Sequence, residues 1–174
     1  YEIVQGDWSS DVCSSDLAGW GTQLPKGVFR GVAETEGYGS WTACVCEVSV
    51  NAKNEVKIHR VVIGIDPGYA VNPAQIERQV SGSFVYGLSA LFEQECTVKQ
   101  GRIEQTNFDT FGSLRLAQMP KVETIIIEGG GAEWGGIGEP TICVAAPAVL
   151  NAIYRATGQR LRTVPLKNLG FTLV

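Results

Sequence analysis

Trp41-Thr42-Ala43-Cys44-Val45-Cys46-Glu47-Val48-Ser49-Val50 is followed by Asn51-Ala52-Lys53-Asn54-Glu55, and then by Val56-Lys57-Ile58-His59-Arg60-Val61-Val62-Ile63-Gly64-Ile65. The first run alternates and is rich in valine, threonine and cysteine, which suits a pleated, half-buried strand. The middle run has turn composition. The third is a β-branched strand coming back. Together they predict an antiparallel hairpin with a buried end. Cys44 and Cys46 stand two apart, so both project from one face. His59 falls inside the returning strand, where a surface or core-edge position explains it better than catalysis does.

Working outward, the region from Gly19 to Gly39 is punctuated by glycine, with a strand expected over Lys26 to Ala33. Asp66-Pro67-Gly68 and Asn72-Pro73 are turns. A helix is expected from about Pro73 to Glu93, because Ile76, Val80, Phe84, Leu88 and Leu91 recur at spacings of four or three. Beside that stripe lie Gln79, Ser83, Gly87 and Ala90. Gly82 and Gly87 each cost a helix roughly 1 kcal/mol relative to alanine, so something needs close approach there. Two readings stand: tight helix-on-helix packing, or a flat ligand lying on this face with the Gln79 amide free to bond it.

Further on, Glu95 to Lys99 and Arg102 to Phe108 read as a hairpin around Lys99-Gln100-Gly101. Val122 to Ile127 reads as a buried strand. Pro147 suits the first turn of a helix that Gly158 ends, and Leu161 to Leu166 reads as a closing strand. The fold class is therefore α+β, with a mainly antiparallel sheet and two principal helices.

Composition narrows the function classes. The chain has 174 residues, enough for one domain or a piece of a larger one, and its 44% apolar content can build a core. A net charge of −4 with no basic block argues against nucleic acid as a partner. One histidine rules out a multi-His metal centre, and five cysteines without a CxxC pair are too sparse for a zinc or iron–sulfur set. No apolar run reaches membrane-spanning length. Residues 1 to 17 look foreign: Ser9-Ser10-Asp11-Val12 is nearly repeated as Ser14-Ser15-Asp16-Leu17, without strand or helix periodicity. The segment resembles translated sequencing-adapter read-through. It is expected to be non-native, with residues 18–174 forming the domain and native chain once extending upstream.

The densest stretch is Gly129-Gly130-Gly131-Ala132-Glu133-Trp134-Gly135-Gly136-Ile137-Gly138-Glu139-Pro140. So many glycines allow close backbone approach to another body. Apolar sequence flanks it on both sides, so Glu139 is expected to be poorly solvated, and a desolvated carboxylate is a candidate proton acceptor. On spacing alone, a tight turn with a capping acid at a helix start is the stronger reading.

Four motifs in order change that balance. Asp66-Pro67-Gly68-Tyr69-Ala70-Val71-Asn72-Pro73, Gln79-Val80-Ser81-Gly82-Ser83-Phe84-Val85-Tyr86-Gly87-Leu88, Leu114-Arg115-Leu116-Ala117-Gln118-Met119-Pro120-Lys121-Val122-Glu123 and Gly136-Ile137-Gly138-Glu139-Pro140 precede a Pro-Ala-Val-x-Asn-Ala-Ile helix and Leu161-Arg162-Thr163-Val164-Pro165-Leu166. In that sequence they resemble the C-terminal part of the molybdenum hydroxylases, the xanthine dehydrogenase and aldehyde oxidase superfamily. The nearest branch is the large subunit of isoquinoline 1-oxidoreductase-like enzymes. The resemblance runs from about residue 19 to the end.

It implies a C-terminal fragment of a molybdopterin-binding domain. Glu139 would be the catalytic base that deprotonates the Mo–OH group. Gln79, Gly136 and Gly138 would contact the cofactor, and no protein side chain would ligate the metal. The cofactor would be molybdopterin, in the cytosine dinucleotide form usual in the bacterial branch. Electrons would leave through [2Fe–2S] clusters on a small partner subunit. The substrate would be an aldehyde or an N-heterocycle, hydroxylated with water, in the bacterial periplasm or cytoplasm. Thr141-Ile142-Cys143-Val144 departs from the family, where prolines are frequent. Glu133 matches no role and reads as a loop carboxylate. The rival reading is a non-catalytic structural or subunit-interaction module whose glycine-rich turn only packs. A nucleotide-binding loop is weaker, because no βαβ unit surrounds the glycines and no lysine follows them.

Overall fold

The computed structural model describes residue 16, residues 18–127 and residues 133–174. Apart from Asp16 and Ala18 onward, the foreign-looking N-terminal segment lies outside the described residues, as does Gly129-Gly130-Gly131-Ala132 of the glycine stretch. The central hairpin forms as the sequence predicts. Strands β1 (Phe29–Gly37), β2 (Ser40–Val50) and β3 (Glu55–Asp66) run antiparallel in succession. Tyr38 and Gly39 both take positive φ, 59° and 73°, which is the two-residue geometry that matches strand twist. Between β2 and β3, the Asn51 side-chain oxygen accepts from the amides of Lys53 and Glu55 at 2.9 and 3.0 Å. A register shift at Glu47/Val48 marks a bulge in that pair.

Strands β6 (Val122–Ile126) and β7 (Thr172–Leu173) pair with β3 in parallel, end to end along one side. Among the described residues two long helices complete the layer: α1 (Pro73–Phe92) and α2 (Pro140–Thr157). Asn72 caps α1, its side chain accepting from the Gln75 amide at 3.3 Å. The main core lies between the helices and one sheet face. Cys44, Cys46, Val48, Val61, Ile63 and Ile65 meet Phe84, Leu88, Val144, Ala148 and Val149 there. Ala18, Val45 and Val62 form a smaller cluster on the opposite face. Alternation along β2 thus serves both faces. Cys44 and Cys46 do share one, with their sulfurs 3.5 Å apart and both thiols free. Burial pushes the Cys44 thiol well above its ordinary value.

Two close approaches set the layer spacing. A Cβ on Gly31 would run into the Ala148 carbonyl and the Ala152 amide of α2, so β1 lies directly beneath that helix. A Cβ on Gly87 would come within 2.7 Å of the Ala145 Cβ, which places Gly87 at the α1–α2 crossing. For Gly87 the packing reading holds, and the face that also carries buried Ser83 is not open to a flat ligand.

Several boundaries differ from expectation. β1 starts at Phe29 rather than Lys26, because Gly27 (φ 83°) and the Val28 amide bonding the Pro25 carbonyl make a turn first. α2 begins at Pro140, seven residues before the expected Pro147, which sits inside the helix. Pro147 forfeits one backbone bond, and an interior proline costs a helix about 3 kcal/mol. Buried Val144, Ala145, Ala148, Val149, Ala152 and Ile153 flank it at helical spacing and offset that cost. Leu161 to Leu166 is not a strand: Pro165 has no amide to donate, and the chain instead makes a 3-10 turn at Leu166–Leu169 before β7. The 95–108 hairpin shrinks to β4 (Val98–Lys99) and β5 (Arg102–Ile103), whose Val98 and Ile103 are exposed. β6 is half-buried rather than buried, being an edge strand.

Candidate active site

The loop that leads into α2 is held by three backbone anchors. The Gly135 amide donates to the Pro67 carbonyl at 2.8 Å, and the Gly136 amide donates to the Tyr38 carbonyl at 2.8 Å. The Ser40 hydroxyl donates to the Gly136 carbonyl at 2.6 Å. The turn between β1 and β2 and the turn after β3 thus grip the loop from two sides. Only glycine fits at 135, where a Cβ would overlap the Ser40 hydroxyl and the Gly39 carbonyl. The Thr42 hydroxyl, buried, donates to the Pro140 carbonyl at 3.3 Å and ties the first helical residue to β2.

Helix α1 brings the fourth anchor. The Gln79 side-chain amide donates to the Gly138 carbonyl at 3.1 Å. Gln79 and the Gly138-Glu139 pair, singled out in the sequence 59 residues apart, are neighbours in space. Glu139 occupies the cap position of α2 with αR backbone, and its side chain does not cap the helix. The nearby Glu139 carboxylate, through hydrogen bonding and charge, pushes the exposed Tyr38 phenol above its ordinary value. Glu139 is itself exposed. The expected desolvation does not occur in this chain, since the flanking apolar residues turn into the core behind it.

The other sequence candidates fall into place around this. The Gly136 amide is spent on Tyr38, and its carbonyl is spent on Ser40. Gly138 offers its carbonyl to Gln79 and has open space where a Cβ would stand. Glu133 is an exposed loop carboxylate whose backbone abuts Gly68. His59 is exposed and bonds the Ser49 hydroxyl at 2.7 Å; burial of its ring and nearby Lys57 push it below its usual value. Tyr38 and Ser40 are the site residues that sequence reading missed. The Tyr38-Gly39 dipeptide between two strands signals a turn, but nothing local links it to Gly136.

Three observations bear on whether these residues could hold a cofactor. Gly82, one turn along α1 from Gln79, has nothing within 4 Å of where a Cβ would be. Gly138, whose carbonyl Gln79 holds, likewise has open space where a Cβ would stand. The buried Thr141 hydroxyl, two residues past Glu139, lacks a hydrogen-bond partner among the described residues. Among the described residues no three His, Cys, Asp or Glu side chains converge on a point. A metal at this site would therefore come held by an organic ligand. The residues present fit such a group.

Residues 23–120 match the molybdopterin cofactor-binding domain. Gln79 lies inside that match, and Glu139 lies beyond it. The chain is 32% identical over 154 residues to the membrane-bound aldehyde dehydrogenase [pyrroloquinoline-quinone] of Gluconacetobacter polyoxogenes, covering 85% of this chain and 20% of that protein. It is 30% identical over 142 residues to isoquinoline 1-oxidoreductase subunit beta of Brevundimonas diminuta, covering 81% of this chain and 18% of that one. Quinoline 2-oxidoreductase from Pseudomonas putida 86 shares the fold, with a TM-score of 0.64 at 19% identity over 73% of this chain and 17% of that chain. The chain spans about a fifth of the length of the curated relatives it matches. Among the described residues no helix is long and apolar enough to cross a membrane.

Proposed function

Because the chain belongs to the molybdopterin cofactor-binding domain family, we propose that residues 18–174 form part of the large subunit of a molybdenum hydroxylase acting on an aldehyde or an N-heteroaromatic carbon. The observation that carries this is the bond from Gln79 to the Gly138 carbonyl, which sets the helix of the matched domain against the residue next to Glu139. The substrate class follows relatives named for isoquinoline, nicotinate and aldehydes.

When bound, molybdopterin supplies the two-electron redox chemistry, here in its cytosine dinucleotide form. Gln79, which holds the Gly138 carbonyl, and Gly138, with open space beside it, would be the residues that contact the cofactor. Gly136 acts indirectly, its backbone bonds fixing the loop. Glu139 takes up a proton at a carboxylate oxygen as an oxygen from water adds to the substrate carbon. Hydroxylation releases two electrons per carbon oxidised, and five cysteines without a CxxC pair do not suit a cluster set in this chain. We place the electron outlet on [2Fe–2S] clusters of a small partner subunit.

The test is Glu139→Gln in the full-length enzyme with its partner. Loss of a general base lowers kcat by about 10²–10⁴-fold, with molybdenum content retained. Near-normal turnover sinks the proposal and leaves a packing role for the loop.

A further inference from the structure

At the end of α2 far from Glu139 lies a cavity that the proposed reaction does not use. It measures about 380 Å³, and Trp20, Leu24, Val28, Phe29, Arg30 and Arg155 line it. Small-molecule sites occupy about 300–1,000 Å³. Arg155 stands in the last turn of α2. A helix rises about 1.5 Å per residue, so roughly 24 Å of helix separates Arg155 from Glu139.

Arg30 builds one wall. Its guanidinium pairs with Glu47 at 2.8 Å, with side chains only 11% and 14% exposed. Its Nη1 donates to the Gly19 carbonyl and, at 3.3 Å, to the Thr22 carbonyl. The turn that carries Trp20 is thereby stapled to β1. A second turn, closed by the Val28 amide on the Pro25 carbonyl, stands beside it.

The charges there do not cancel. Glu47 neutralises Arg30, whereas Arg155 has no carboxylate within ion-pair distance among the described residues. No carboxylate among the described residues lines the cavity. The negative end of the α2 dipole offsets about half a unit charge, so the mouth stays positive. Leu24, Val28 and Phe29 are half-buried, and Trp20 is 45% exposed. A guanidinium matches a planar carboxylate or a phosphate. One unspent cation balances one negative charge, and the aromatic lining suits a flat apolar body rather than a phosphate.

We propose that this cavity binds a small aromatic monocarboxylate, its carboxylate paired with Arg155 and its ring against Trp20 and Phe29. The site stands whether or not Glu139 is the base.

The experiment is calorimetric titration of the full-length holoenzyme, with its partner subunit, using benzoate. The wild type is expected to bind one more equivalent of benzoate than Arg155→Gln, and Glu139→Gln is expected to keep that equivalent. Arg155→Gln weakens it about 10- to 100-fold, the worth of hydrogen bonds to a charged group. Trp20→Ala weakens it about 2- to 10-fold, the worth of an aromatic pair. Arg155→Lys retains part of the affinity. Arg155 is exposed, so its variants are expected to keep the melting temperature and kcat of the wild type. Benzamide, which has the same shape without the charge, is expected to bind at least as weakly as benzoate does to Arg155→Gln. Equal stoichiometry and affinity in the wild type and Arg155→Gln overturn the proposal. So do benzamide binding as tightly as benzoate, and full displacement of benzoate by an equal concentration of inorganic phosphate.

Discussion

The Gln79 side-chain amide lies 3.1 Å from the Gly138 carbonyl oxygen, joining the second turn of α1 to the residue that precedes Glu139. Neither partner is buried, so the bond holds only while the loop's other anchors hold it in reach. Replacing Gln79 with alanine removes one neutral hydrogen bond, about 1 kcal/mol. Full-length Gln79→Ala is expected to keep its melting temperature within a few degrees while losing molybdenum content, measured by elemental analysis. Full occupancy with unchanged turnover would mean that Gln79 only braces the loop.

Gly82 and Gly87 share a helix but predict opposite outcomes. Gly82 opens onto free space, so Gly82→Ala is expected to stabilise α1 by roughly 1 kcal/mol through helix propensity. If the cofactor lies against this surface, the same methyl lowers molybdenum occupancy. A melting temperature that rises with occupancy untouched would remove Gly82 from the cofactor's path.

Gly87→Ala brings a methyl within 2.7 Å of the Ala145 Cβ, and overpacking of this kind costs about 1–3 kcal/mol. The melting temperature is expected to fall despite the propensity gain. Combining it with Ala145→Gly is expected to restore the fit and recover part of the loss. Losses that simply add in the double variant would argue against this contact.

Arg60 and Glu123 make a cross-strand pair at 2.7 Å between β3 and β6, with Lys121 at 3.1 Å from the other carboxylate oxygen. The hydrogen bond from Arg60 is the largest cause that holds the Glu123 carboxyl at about 2, against an ordinary 4.5. A depressed folded value means the contribution is whole above the ordinary value and drains away as pH falls toward 2. The Glu123 side chain is 33% exposed, so solvent screening limits the effect to about 1 kcal/mol or less. The melting-temperature gap between the wild type and Glu123→Gln is expected to be constant near neutrality and to close between pH 4.5 and 2. A gap that persists at the acid end contradicts this.

The sheet's centre was legible because its pattern is local. Alternation from Trp41 to Val50 and the β-branched return fix a hairpin within a short span, and the stripe from Ile76 to Leu91 fixes α1 the same way. What failed was decided at a distance. Pro147 is a sound helix start by local rules, yet residues on both sides of it are buried against the sheet, and that burial outweighs the missing bond. Leu161 to Leu166 has strand composition, but Pro165 cannot donate and the sheet edge is taken by β6 and β7. At the site, Gln79 and Glu139 were found through motif order rather than through spacing. Tyr38 was missed because Gly136, whose amide its carbonyl holds, comes from the far end of the chain. Glu139 looked desolvated from its apolar neighbours, but those neighbours face the core while it faces outward.

The arrangement of β3 also carries a message about how the chain assembles. Its antiparallel partners are reached through tight turns and can zip up early. Its other edge waits for β6, and then for Thr172 and Leu173, which lie much further along the sequence. Pairings of such wide sequence separation form late and slowly. Glu139 lies between those two late strands. The loop that carries it can therefore settle only once β1, β2 and β3 already stand, so the scaffold is in place before the chemistry.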